Sequence, residues 1–140
     1  MNDKLFKALK CVSKKEYVWL FGLPLYNSNK EKLDLMLVGI NKYEPIIPET
    51  LCVYTGKEDI NGNAVYSGDM LHFEHNINGK KTNEVLTVYY SKESASFLLG
   101  RLGALLPFGM YDISKCKIVG NIHNEEFLTS KRKGGKQCEK

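Results

Sequence analysis

Several groups of residues in this chain have types and spacings that could do chemistry. The first is the stretch YTGKEDINGNAVYSGDM, residues 54–70, with three glycines, two Asn and two Asp in seventeen residues. A calcium loop needs D-x-[DN]-x-[DN]-G and a carboxylate at its twelfth position. Counting from Asp59, Gly62 arrives two positions early and the twelfth residue is Met70. A phosphate loop needs G-x-x-x-x-G-K-[ST], and no Lys-Ser or Lys-Thr follows Gly62. The stretch also leads into a strand, so no helix N-terminus is available to an anion. The second group is His72 and His75. In an extended strand residues three apart point to opposite faces, so one zinc ion does not reach both. Cys116 with His123 is a third pairing, of the kind that nucleophilic catalysis uses, but spacing alone does not bring the two together. The adjacent acids Glu125 and Glu126 read as solvated. No catalytic residue, metal ligand or cofactor site is therefore assigned, and no cofactor is expected.

A structural role explains the first stretch without a ligand. Asn61-Gly62 supplies the positive φ of a tight reversal. Asp59 accepts hydrogen bonds from amides two or three residues on, as an Asx turn. Gly56 belongs to the same corner, and Gly68-Asp69 makes a second one where the chain enters the next strand. Aromatic residues offer a different chemistry. Tyr17, Trp19, Phe21 and Tyr26, with Tyr89 and Tyr90, could stack nucleic-acid bases. Against this, Trp19 and Phe21 share one strand face and are expected to fill the core, with Tyr17 at the rim.

The elements that position these residues read as short antiparallel strands. LFKALKCV and YVWLFGLPLY form two strands, about 4–12 and 17–26, joined by the polar connector SKKE. LDLMLVGI (33–40) is a third. Pro45 and Pro48 make EPIIPET an edge or a connection, and LCVYT (51–55) is a short buried strand. Asn78-Gly79 is the strongest hairpin signal, since both positions tolerate the positive φ of a type I′ turn. On the first arm Leu71 and Phe73 face one side, opposite Met70, His72 and Glu74. On the second arm Leu86, Val88 and Tyr90 alternate with Val85, Thr87 and Tyr89. SFLLGRLGALLPFG is ambiguous, because Gly100, Gly103 and Pro107 oppose a long helix. Residues 115–124 are a last strand, and NEEFL closes as a helical turn capped by Asn124. The expected fold is mainly β, an antiparallel small barrel or curled sheet with little helix.

At 140 residues the chain is one domain of ordinary size, 43% hydrophobic and 26% charged. Residues 1–130 are expected to form that domain and 131–140 a disordered basic tail. The tail holds five basic side chains (Lys131, Arg132, Lys133, Lys136 and Lys140) against Glu139, while the rest carries fifteen of each sign. The net charge of +4 is thus the tail's alone. Lys131, Arg132, Lys133 and Lys136 are the candidate nucleic-acid contacts, of salt-sensitive and sequence-independent character. Cys11, Cys52, Cys116 and Cys138 lie at least 22 residues apart, which excludes C-x-x-C motifs. No export signal or membrane span is legible at the N-terminus or beyond it, so a cytoplasmic protein with reduced thiols is expected.

The opening stretch also resembles the Y-T-G-L-x-D-x-N-G-x-x-I-Y-E-G-D-I signature of the YopX family of phage and prophage proteins. VWLFGLPLY resembles that family's upstream W-x-x-G segment, IPETLCVYTG its P-E-T lead-in, and IVGNIHNEEFL its closing I-G-N-I-Y-E-N-P-E-L-L. The likeness runs from about Val18 to Leu128. Lys57 stands for the usual Leu, Ser67 for Glu and His123 for Tyr, and the closing proline is missing. The resemblance implies a mainly β fold and a home on a mobile element, and it implies no activity. The expected function is a non-enzymatic module that binds a host or phage protein. The alternative is a small β-barrel nucleic-acid binder aided by the tail. The charge balance of the body favours the former.

Overall fold

A computed structural model describes residues 5–13, 16–27 and 32–124, the side chain of Lys32 excepted. The expectations placed on the tail, Lys131, Arg132, Lys133 and Lys136 included, and on Glu125 and Glu126 lie outside these residues. Eleven strands run through the described part: β1 (Phe6–Ser13), β2 (Glu16–Asn27), β3 (Lys32–Gly39), β4 (Lys42–Pro45), β5 (Cys52–Glu58), β6 (Ala64–Tyr66), β7 (Asp69–Ile77), β8 (Lys80–Ser91), β9 (Ser96–Arg101), β10 (Ala104–Pro107) and β11 (Lys117–Asn121). All the registered strand pairs are antiparallel. The mainly β expectation is met by open, curled sheets and not by a closed barrel. The chain divides into two compact units, with the boundary between Tyr54 and Thr55, inside β5.

In the first unit the strand order is β4-β3-β2-β1-β5. Gly22 is where β2 changes partners: its N-terminal half pairs with β1 up to Gly22, and its C-terminal half pairs with β3 from Leu23. A Cβ on Gly22 would lie 2.1 Å from the Leu37 carbonyl oxygen, so the close approach of β3 requires glycine here. The curl brings the segment after β4 back to β1. Ile47 N–H donates to the Leu9 carbonyl at 2.9 Å, and the Leu9 amide donates to the buried Thr50 hydroxyl at 2.8 Å. That hydroxyl donates in turn to the Ile47 carbonyl at 2.7 Å, which closes the 3-10 turn Pro48–Thr50. Lys10 and Glu44 add an ion pair between β1 and β4. Ala8, Met36 and Ile46 form the core, flanked by Phe6, Leu20, Val38 and Leu51.

Trp19 and Phe21 are not in that core. Phe21 is 41% exposed, and Trp19 is half-buried with the Lys7 Nζ 4.6 Å from its ring centre. Alternation along β2 offers two apolar faces, one through Trp19, Phe21 and Leu23, the other through Leu20 and Gly22. Leu20 stands opposite Ala8, and the unit fills its interior from that small-residue side. Cys11 also departs from expectation. It is disulfide-bonded, whereas Cys52 and Cys116 are free and buried.

In the second unit the end of β5 pairs with β6, and a five-stranded sheet follows in the order β10-β9-β8-β7-β11. Asn78 and Gly79, at φ of 53° and 82°, turn β7 into β8. The ambiguous segment is a second hairpin, turned by Leu102 and Gly103 at φ of 44° and 84°. Leu71, Phe73, Leu86, Val88 and Leu99 fill the inner face against Val65, Ile113 and Cys116. Val85 and Tyr89 stay on the outer one. The last strand stops at Asn121. A helical turn starts at Ile122, and its cap is Asn121, whose Oδ1 accepts from the His123 amide at 2.8 Å, in place of the expected Asn124. Among the described residues no helix is long and apolar enough to cross a membrane.

Candidate functional site

The corner residues 54–70 are spent on the backbone. Asp59, 5% exposed, takes the amides of Asn61 and Asn63 on Oδ1, each at 2.9 Å, and that of Ile118 on Oδ2 at 3.2 Å. The Asx turn therefore also fastens the corner to β11. Burial pushes the Asp59 carboxyl up, and the amides of Asn63, Ile118 and Asn61 outweigh it, so its pKa lies below the ordinary value. Gly56, Gly62 and Gly68 have φ of 84°, 80° and 90°, while Asn61 keeps a negative φ and serves as an amide donor. Asp69 reaches backwards where a forward Asx turn was expected. Its Oδ2 accepts from the Tyr66 amide at 2.8 Å, and its Oδ1 from Asn121 Nδ2 at 2.9 Å. Gly68 donates to the Val88 carbonyl at 2.7 Å and accepts from the Ile122 amide at 2.9 Å.

Two other candidates find no support in the geometry. His72 pairs with Val85 on the outer face, whereas His75 lies on the inner one, so the two histidines diverge. Burial, followed by the charge of Asp59, pushes the Cys116 thiol up to about 11, the reverse of what a thiolate nucleophile needs.

A polar cluster lies instead where the inner face of the β7–β8 hairpin runs past the hydrophobic core. Along β7 the inward series is Leu71, Phe73, His75, Ile77; along β8 it is Leu86, Glu84, Thr82. The same alternation carries Arg101 inward, two residues beyond Leu99. Glu84 is the centre. Its Oε1 accepts from the Tyr111 hydroxyl at 2.9 Å and lies 2.8 Å from His75 Nε2, and its Oε2 lies 3.2 Å from Arg101 Nε. Phe73 is packed by both rings, with centroids 6.4 Å from His75 and 4.8 Å from Tyr111. Burial pushes the Glu84 carboxyl up. The hydrogen bonds of Tyr111 and His75 and the Arg101 charge outweigh this, and its pKa is lowered. The Tyr111 phenol is raised, by burial first and then by its bond to Glu84.

A cleft of about 400 Å³ opens over this cluster, lined also by Ile77, Thr82 and Asn83. A second, of about 570 Å³, adjoins it through Tyr111 and runs along Gly56, Lys57 and Asp59 to Phe108 and Ile113. Chemically, the first cleft presents a carboxylate whose oxygens are already engaged, beside a half-exposed guanidinium and an imidazole. Of its members the sequence reading singled out only His75. The available signal was polar residues at core-facing positions of two alternating strands.

Among known proteins, the family model described as YopX protein matches residues 14–128. No curated protein and no solved structure matches the chain significantly.

Proposed function

The chain belongs to the YopX protein family, and from that premise we propose that it is a phage- or prophage-derived, cytoplasmic, non-enzymatic module that binds a protein partner. The observation that carries this reading is the outer face of the five-stranded sheet. The apolar core covers the inner face from Leu71 to Leu99, yet Val85, Tyr89 and Leu105 stand out on the other side at 48, 44 and 59% exposure. Tyr89 lies flat over Gly100, where a Cβ would meet its ring at 2.4 Å, which widens the apolar strip. Antiparallel sheets with one solvated face normally carry polar residues there, and a contiguous apolar face marks an association surface. Among the described residues, Lys117 lies beside His72 in register with Val85, and Lys81 lies further along the same face of β8. A nucleic-acid surface would interleave several cations with its aromatics.

The test is photo-crosslinking from position 85 in infected host cells, with a Tyr89→Glu variant as control. A discrete host or phage protein crosslinked by the parent and lost in the variant is the expected result. Crosslinking to nucleic acid, or to nothing, refutes the reading. Oligonucleotide anisotropy on the full chain and on residues 1–130 tests the tail separately. Binding by the tail alone should disappear on truncation, with a log–log salt slope no steeper than about −4.5 for its five cations on duplex DNA. Submicromolar binding that survives truncation would favour the nucleic-acid alternative.

A further inference from the structure

We propose that the cleft over Glu84 receives the carboxylate of an acidic side chain flanked by apolar residues in a polypeptide partner. The inference builds on the reading of the chain as an interaction protein but uses none of the outer-face residues.

Glu84 holds the donors in place and does not compete as a ligand. Both its oxygens are engaged, by His75, Tyr111 and Arg101. Arg101 touches it through Nε, and its side chain is 52% exposed. His75 has its Nε2 on Glu84 and lines the same cleft. Thr82, directly opposite His75, adds a hydroxyl at the rim. The alternation of β8 sets Lys80 on the same face, at the hairpin tip. The cleft thus joins a half-exposed guanidinium and a hydroxyl, with an ammonium nearby, and calls for an acceptor ligand.

Charge selects the kind of acceptor. Arg101 and Lys80 bring two positive charges to this face, and Glu84 offsets one of them. A single negative charge is matched, whereas a phosphate monoester near two charges is not. A planar carboxylate also fits the forked guanidinium edge. The walls select a polypeptide over a free anion. Ile77, 62% exposed, and the Tyr111 ring flank the donors, so apolar residues beside the acid gain contacts that acetate cannot make.

The experiment follows the side-chain NMR signals of Arg101 Nε–H and the His75 ring in the full chain. The probes are a terminally blocked Gly-Leu-Glu-Leu-Gly peptide, its Gln counterpart, acetate and inorganic phosphate. The Glu peptide should bind saturably at these two residues with Kd of order millimolar, as suits a single anchor. The Gln peptide and acetate should bind about tenfold more weakly, the loss expected for one charge-assisted contact. Arg101→Gln should abolish the shift at the His75 ring while the backbone spectrum stays native, and Arg101→Lys should keep part of it. Equal binding of the Gln peptide, shifts that survive Arg101→Gln, or no shift at all would overturn the proposal. Acetate or phosphate binding as tightly as the peptide would overturn the polypeptide occupant. Crosslinking from position 85 is independent of all these outcomes, so failure of the cleft and failure of the outer face are told apart.

Discussion

Replacing Asp59 tests the claim that the glycine-rich corner is a scaffold. Its carboxylate holds three backbone amides, two in its own loop and one in β11. A hydrogen bond to a charged acceptor is worth about 1.5–3 kcal/mol, and an amide that can turn to water recovers part of this. The loop amides of Asn61 and Asn63 lie near solvent and recover most; the Ile118 amide, in β11, recovers least. Asp59→Ala should therefore cost about 3 kcal/mol at neutral pH, and Asp59→Asn about half as much, since one oxygen remains for the loop amides. Because the folded carboxyl has a lowered pKa, its stabilisation is complete above the unfolded value of about 3.9 and is lost as pH falls through the folded value. Acid unfolding of Asp59→Asn should lack that part of the pH dependence. The assay is urea unfolding followed by circular dichroism, with amide exchange at Asn63 and Ile118. The single tryptophan, Trp19, lies in the other unit and is the wrong reporter. A cost below about 1 kcal/mol, or an unchanged acid limb in the Asn variant, would refute the assignment.

Gly22→Ala drives a methyl group into the Leu37 carbonyl and should destabilise the first unit by about 3 kcal/mol or more, measured by tryptophan fluorescence in urea. Gly62→Ala meets no atom within 4 Å and carries only the strain of a positive φ, about 1 kcal/mol, so equal costs would contradict the geometry. In the polar cluster Glu84→Gln should lower the Tyr111 pKa and Arg101→Gln should raise it further, because the first removes a group that disfavours the phenolate and the second one that favours it. NMR titration of the tyrosine ring carbons reads both, and shifts of the same sign would show that Glu84 and Arg101 do not control the phenol.

The readable parts of the fold were those where one physical signal dominated. Asn78-Gly79 turned a hairpin because both residues accept positive φ, and the alternation on β7 and β8 sorted Leu71, Phe73, Leu86 and Val88 from Val85 and Tyr89. Leu102-Gly103 makes the same kind of turn, but leucine gives no warning of a φ of 44°, so that hairpin was hidden in an ambiguous apolar segment. Trp19 and Phe21 misled because both faces of β2 are apolar and ring size says nothing about which one is roofed. The deciding residues were the small ones, Ala8 and Gly22, which set how closely the neighbouring strands approach.

The residues that carry the family resemblance and the residues that gather over the cleft are different sets, and the difference is chemical. Thr50, Asp59, Asp69 and Asn121 each meet backbone amides with oxygens that face inward, and each is nearly or fully buried. Side chains used in that way specify a chain path and have little left to offer a ligand. His75, Glu84, Arg101 and Tyr111 bond to one another instead. They sit where the inner face of a sheet outruns its apolar filling, and Arg101 and His75 stay partly exposed. A motif search finds the first set because its spacing is local. The second spans 37 residues from His75 to Tyr111 and comes together only through strand register and the turns that bring Arg101 and Tyr111 back over the hairpin. Alternation alone would have marked His75 and Glu84 as polar groups at inward positions. Buried polar groups require partners, and the search for those partners leads to Arg101, Tyr111 and the cleft.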